Sequence, residues 1–327
     1  MPLSLLPLLQ TAVAPVAGAE TVGSGKCEQT VSTTTGVNVT EDGDGNCVLT
    51  FSASGTDVVW TVPSGGLSDI EYVIKGGQGG SSGKSGADFS GVIAALSSGA
   101  SVTIQVGEEG IPNNSVSTYP NGGSSNNNGG GAGGGATQVS IGGSRVLVAG
   151  GGGGKGITEI TATYQGKDAN GGTGGDGGSL SGGASDCSAL GGGKFSAADG
   201  SNGGQGGPTT ARSAGGGGGG YAGGGGGGYD YSSASSGNEC TSNVGGAGGS
   251  GSSYVANGFA TASSGSWSAG TTGTNSNYTF YNNTDDGSLV LTFAVNTSTV
   301  STEPVGGQVG VAFPTQPQVT LTNADST

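Results

Sequence analysis

Apolar and polar positions alternate along most of the chain in short runs, cut by glycine and serine. Thr137–Ile141 and residues 145–149 are two such runs, parted by Gly142-Gly143. A two-glycine break between apolar runs predicts a β-hairpin, because glycine accepts the positive φ that a two-residue turn needs. The same pattern places strands at 48–52, 58–62, 70–74, 89–96 and 102–106, with further β character at 278–281 and 288–295. No stretch repeats apolar residues at helical spacing, so almost no α-helix is expected.

Glycine runs flank the central hairpin on both sides, at 129–135 and 150–154. A run without side chains has two fates. It is a flexible linker, or an extended polyproline-II-type helix with three residues per turn. Such a helix has no internal hydrogen bonds, so its N–H and C=O groups must be paired with neighbours. With only hydrogens on Cα, several can lie side by side, and a side chain can point out at every third position. Gly-Gly-X triplets recur at 76–81, 171–179, 203–208 and 245–250. The Gly-X-Y period of collagen is not sustained. Ordering glycine costs roughly 1–2 kcal/mol per residue. A mutually bonded array with disulfide support is the ordered state that can offset it.

Three blocks carry a family resemblance: GGGAGGGATQVSI with RVLVAGGGGGKG, then GGGGGGYAGGGGGGY, then GGAGGSGSSYV. In order and spacing they resemble the extracellular glycine-rich region of the anaplastic lymphoma kinase and leukocyte tyrosine kinase receptors, and similar modules of bacterial surface proteins. The resemblance covers residues 60–293. It implies a jelly-roll-like β-sandwich into which a hexagonal bundle of polyglycine-II helices is inserted between strands. In the receptors this region lies next to the hormone-binding surface.

Residues 1–19 are apolar and uncharged and end Ala17-Gly18-Ala19 before Glu20, the small-x-small pattern of signal-peptide cleavage, although a basic leading segment is missing. A membrane anchor is the other reading; Pro7, Pro15 and the short length disfavour it. The expected divisions are therefore a signal peptide at 1–19, a glycine-rich β domain at 20–296, a Ser/Thr-rich linker at 297–304, and at 305–327 the truncated start of an immunoglobulin-like repeat, resembling those of bacterial surface proteins. The chain then reads as a fragment of a longer surface protein, secreted or held at the cell surface, with no membrane insertion after cleavage.

Composition narrows the class. There are 78 glycines in 327 residues, only 9% of residues are charged and the apolar share is 31%. The core must be small and confined to the sandwich. A formal net charge of −14 disfavours nucleic acid and anionic membranes, which draw their affinity from lysine and arginine. Four cysteines, Cys27, Cys47, Cys187 and Cys240, read as disulfides behind an export signal. Of the three connectivities the nearest pairs, Cys27–Cys47 and Cys187–Cys240, are favoured. Zinc is the alternative, but there is no Cys-x-x-Cys spacing and no histidine.

Most motifs fall to the same scrutiny. The glycine run at 150–156 ends Gly154-Lys155-Gly156, without the Ser or Thr of a phosphate loop; Gly83-Lys84-Ser85 has that end but lacks the first glycine and the following helix. Tyr72-Val73-Ile74-Lys75 and Asp88-Phe89-Ser90 have kinase-like spelling, with the glycine loop on the wrong side and no histidine for a catalytic loop. Asp42-Gly43-Asp44-Gly45-Asn46 spaces oxygens as calcium loops do, but a hairpin turn is favoured because no acidic residue closes the loop. Glu108-Glu109 and Asp285-Asp286 are neighbours that face opposite ways in extended chain, so neither forms an acid/base dyad. No catalytic residue, metal or cofactor is expected.

Recognition must then use the residues that punctuate the glycine. Tyr229, Asp230 and Tyr231 are the ligand-binding candidates, with an extracellular protein or a carbohydrate as the expected partner. Tyr221 belongs to a recurrent block and is favoured as a cap on the glycine bundle instead. The expected function is a non-enzymatic structural or adhesion module; the alternative is an accessory domain of an extracellular enzyme acting on glycans or the cell wall.

Overall fold

The structure is a computed structural model; it describes residues 18–52, 55–81, 83–112, 117–125, 130–157, 163–164, 202–205, 215–227, 229–230, 244–245, 248–262, 272–273, 286–295, 297–302 and 318–322. The possible disulfide partners Cys187 and Cys240, the expected strand at 278–281 and residues 1–17 of the expected signal peptide lie outside them.

The strands, in chain order, are β1 (Glu20–Val22), β2 (Gln29–Val31), β3 (Val37–Glu41), β4 (Cys47–Phe51), β5 (Asp57–Thr61), β6 (Leu67–Lys75), β7 (Asp88–Leu96), β8 (Ser101–Gln105), β9 (Thr137–Ile141), β10 (Ser144–Ala149), β11 (Gly156–Ile157), β12 (Thr163–Tyr164), β13 (Tyr229–Asp230), β14 (Val244–Gly245), β15 (Ser253–Val255), β16 (Ala260–Ala262), β17 (Thr272–Gly273), β18 (Ser288–Phe293), β19 (Thr297–Thr302) and β20 (Gln318–Thr322). The helical element among the described residues is one 3-10 turn, Gly25–Cys27. The chain is mainly β, as the alternation predicts.

Two antiparallel sheets form the body. One runs β1-β2-β5-β8-β9-β10-β15-β17 and the other β16-β7-β6-β18-β4-β3. Side chains alternate across each sheet, so one register row in two faces inward. In the first sheet Val58, Ile104, Val139, Leu147 and Val255 are paired in one such row. In the second, Phe51, Leu289, Ile74 and Phe89 do the same. Both rows belong to one buried cluster, so the sheets form a β-sandwich. Trp60 of β5 stacks on Phe293 of β18 across the sandwich, with centroids 6.0 Å apart. Its indole N–H donates to Gln29 Oε1 at 3.0 Å, which pairs two buried polar groups.

Cys27, at the 3-10 turn between β1 and β2, is disulfide-bonded to Cys47 of β4, with Cα atoms 5.4 Å apart. The bond ties one sheet to the other. Closing a loop of this size constrains the unfolded chain by about 3 kcal/mol. Cys27→Ser with Cys47→Ser is therefore expected to lower unfolding free energy by about that amount in urea denaturation; an unchanged midpoint would contradict it.

The predicted hairpin is present. Gly142 and Gly143 have φ of 57° and 79° and join β9 to β10. The glycine stretches leave the sandwich between strands that are themselves paired: 76–87 joins β6 to β7, 106–136 joins β8 to β9, and 150–252 joins β10 to β15. Paired strands lie about 4.8 Å apart, so each excursion leaves and returns at one place. Thr137 Oγ1 links the first two of these excursions. It accepts from the Gly107 N–H at 3.0 Å and donates to the Lys75 carbonyl. Part of the stretch read as a linker, Thr297–Thr302, is a strand and pairs antiparallel with Gln318–Thr322.

Candidate functional site

Beyond the sandwich the glycine segments bond to one another with a period of three. The N–H groups of Gly216, Gly217 and Gly218 donate to Gly131, Gly204 and Gly249, and Gly219 returns to the first neighbour at Gly134, all at 2.8–3.0 Å. The carbonyls repeat likewise. Gly215, Gly216 and Gly217 accept from Gly227, Gly154 and Gly123; Gly218 and Gly219 then return to the first two neighbours through Gly224 and Gly151. Segment 130–136 follows the same rule. Its N–H groups go to Lys155, Ile111 and Gly123, then to Gly152, Glu108 and Pro120 of the same three segments.

A three-residue period aims successive backbone groups at 120° intervals. Residues 215–219 accordingly touch six other segments, three as donors and three as acceptors. A segment with neighbours on all sides has no room for side chains. It is spelled by six consecutive glycines, all buried. A β-carbon built on Gly217 would land on the Gly224 carbonyl. At the periphery the third residue returns. Gln205 is exposed, although Gln78 and Ser250, also in third positions, are buried.

The bundle meets the sandwich at an aromatic cluster. Tyr221, which follows the six glycines, stacks on Tyr254 of β15 with centroids 4.0 Å apart and planes at 15°. The Arg145 guanidinium lies 4.7 Å from the Tyr221 ring centre. It donates to the carbonyls of Gly220 and Tyr221 at 3.0 and 3.2 Å. Burial pulls its pKa below the ordinary arginine value, with Tyr221 acting the other way. Tyr221 therefore sits as the expected cap, held by its ring and by its backbone. Arg145 holds the end of the bundle. The available signal was an arginine two residues past Gly143, at the head of the apolar run 146–149.

Of the ligand-binding candidates, Tyr229 and Asp230 form β13 and pair with Gly245 and Val244 of β14. Their side chains, and Tyr231, lie outside the described residues.

A second polar cluster crosses the outer face of the larger sheet. Asp57, Gln105 and Gln138 are register partners on β5, β8 and β9. Gln105 Nε2 donates to Asp57 Oδ1 at 2.7 Å and to Tyr119 Oη at 3.0 Å. Tyr119 donates its hydroxyl to Asp57, and burial, then that bond, raise its pKa. The cluster holds loop 117–121 against the sheet. On the outer face of the smaller sheet, Glu71, Val73, Ser90, Val92, Val290 and Thr292 line a groove of ≈ 400 Å³. Glu71 is the one carboxylate among its described lining residues, with Tyr72 buried beneath.

The rejected motifs have structural explanations. Lys75 and Asp88, the ends of the kinase-like strings, are cross-strand partners in an ion pair of 3.6 Å. The N–H groups of Lys84, Gly151, Gly152, Gly154 and Lys155, which a phosphate loop would offer to an anion, are bonded to carbonyls of the array. Asp42 closes a hairpin turn. Its Oδ1 accepts from the N–H groups of Asp44 and Asn46 at 3.0 and 2.8 Å. Glu108 Oε2 accepts from the Tyr119 N–H, and the Glu109 N–H donates to Asp286 Oδ1. Among the described residues no three metal-ligating side chains converge, and no helix is long and apolar enough to cross a membrane.

The bonds to Asn46, first, lower the Asp42 pKa. A depressed carboxylate stabilises the fold above its unfolded pKa, and that contribution is lost as pH falls through the folded value. Asp42→Asn should thus destabilise the hairpin at neutral pH and become indistinguishable from wild type in strong acid, read by amide exchange of residues 41–47. A difference that persists in acid would contradict this.

No protein-family model matches the chain, and no curated protein matches its sequence.

Proposed function

We propose that the chain is a non-enzymatic, secreted or cell-surface module in which a β-sandwich carries a rigid bundle of polyglycine-II helices, of the kind found in the receptors it resembles. One observation carries this reading: the three-residue bonding period around residues 215–219. That period is the one expected of polyglycine-II helices in hexagonal packing. Backbone-saturated glycine offers no reactive groups, so such a bundle serves as a stiff spacer or as a platform for the loops that punctuate it.

Export fits the remaining features. Among the described residues the first strand begins at Glu20, the residue after the expected cleavage point. The Cys27–Cys47 disulfide suits an oxidising compartment. The partner on this reading is an extracellular protein or a carbohydrate, contacted by Tyr229, Asp230 and Tyr231, with no cofactor, metal or nucleic acid. Tyr229→Ala with Tyr231→Ala should weaken attachment to cells or matrix several-fold while leaving the melting temperature nearly unchanged. A large fall in melting temperature, with binding per folded molecule intact, would assign both rings to the scaffold.

A further inference from the structure

Three Asn-Gly pairs fall within the described residues: Asn121-Gly122, Asn202-Gly203 and Asn257-Gly258. Such pairs age chemically, because glycine puts no side chain in the way of its own backbone nitrogen when that nitrogen attacks the asparagine amide. Folding controls the reaction by engaging or freeing that nitrogen. The Gly122 N–H donates to the Thr118 carbonyl at 2.9 Å, and the Gly203 N–H donates to the Asn121 carbonyl at 2.6 Å. Both glycines are packed against other backbone.

Asn257-Gly258 is different on every count. Both residues are exposed. They form the tip of a turn closed by the Phe259 N–H donating to the Ala256 carbonyl at 3.2 Å, with Gly258 at φ +73° and nothing within 4 Å of the place a β-carbon would take. Among the described residues no hydrogen bond engages the Gly258 N–H. The turn is fixed at both ends. The Ala256 N–H donates to Val146 of the larger sheet, and the Phe259 carbonyl accepts from Ala94 of the smaller. It is the direct link from β15 to β16, one strand in each sheet.

We propose that Asn257 is a site of spontaneous deamidation in the folded protein. The Gly258 nitrogen attacks the side-chain carbonyl carbon of Asn257 and a C–N bond closes a succinimide ring. The side-chain nitrogen, with the Gly258 amide proton, leaves as ammonia. Water then opens the ring to aspartate or isoaspartate, which adds a negative charge. The isoaspartate product inserts one more atom into the backbone of the turn that couples the two sheets. It is also a substrate for an isoaspartyl methyltransferase.

The test is peptide mapping by mass spectrometry of the full chain, aged in mildly alkaline buffer, with methyltransferase labelling of isoaspartate. Asn257 should convert several-fold faster than Asn121 or Asn202, and the three rates should converge in denaturant. Gly258→Asp, which keeps a residue able to adopt the left-handed conformation but shields the nitrogen, should slow conversion several-fold. Conversion at Asn257 no faster than at Asn121 and Asn202 in the folded chain, or the same ranking in denaturant, would overturn the proposal.

Discussion

Gly217→Ala should destabilise the protein by about 3 kcal/mol or more, at or beyond the top of the range for overpacking. The added methyl meets the Gly224 carbonyl with Gly225 behind it, and both belong to backbone that is itself bonded into the array. A flexible side chain could turn away; a carbonyl held in a bundle cannot. The neighbours must part, and the bonds of Gly217 to Gly204 and of Gly123 to Gly217 lengthen together. Gly43→Ala is the matched control. Its β-carbon meets nothing within 4 Å and its φ is not in the left-handed region, so it should be neutral or stabilise by a few tenths of a kcal/mol. Urea denaturation of the two variants checks the contrast. Equal effects would mean that the array is not close-packed.

Trp60→Ala is the second large effect, about 3–5 kcal/mol for removing a fully buried indole. Trp60 is 0% exposed and stacks on Phe293 of the opposite sheet. Its loss opens a cavity between the sheets and also strands Gln29 Oε1, which is buried with its side chain at 2% exposure. An unpaired buried acceptor adds about 1–3 kcal/mol. Trp60→Phe keeps most of the packing and loses the bond, so it should fall between wild type and Trp60→Ala. Trp60→Phe as damaging as Trp60→Ala would shift the weight from packing to the hydrogen bond.

The sandwich was legible because its strands obey period two. Val58 and Trp60, or Ile70, Tyr72 and Ile74, fall inward by alternation alone, and Gly142-Gly143 announces its turn. Boundaries moved by one to three residues. The strand expected at 70–74 extends over Leu67–Lys75, because long-range pairing with β7 and β18 continues beyond the apolar run. Strand order was not legible: nothing local says that β18 inserts between β6 and β4.

The glycine runs were legible as an array in kind but not in detail. A side chain tells which way a residue faces, and glycine has none to read. Only the interruptions carry information. Two runs of six glycines are spelled alike, at 215–220 and 223–228, yet only the bonds show the first touching six other segments, while Ala132 and Ala136, both fully buried, mark places where one methyl still fits. The aromatic cluster was half visible. Tyr221 announced itself by its place after the glycines. Its partners Arg145 and Tyr254 lie on strands 76 residues before and 33 residues after it in the sequence, and only folding brings them together.

Hydrogen–deuterium exchange of the peptide covering residues 215–221 tests the central claim most directly, since six glycines without side chains can be protected only by bonds to neighbouring segments. Protection comparable to that of the core strands Cys47–Phe51 and Leu67–Lys75, lost with them in one cooperative step, is the result expected of the bonded bundle. Exchange at the rate of an unstructured glycine peptide, while those strands stay protected, would contradict it.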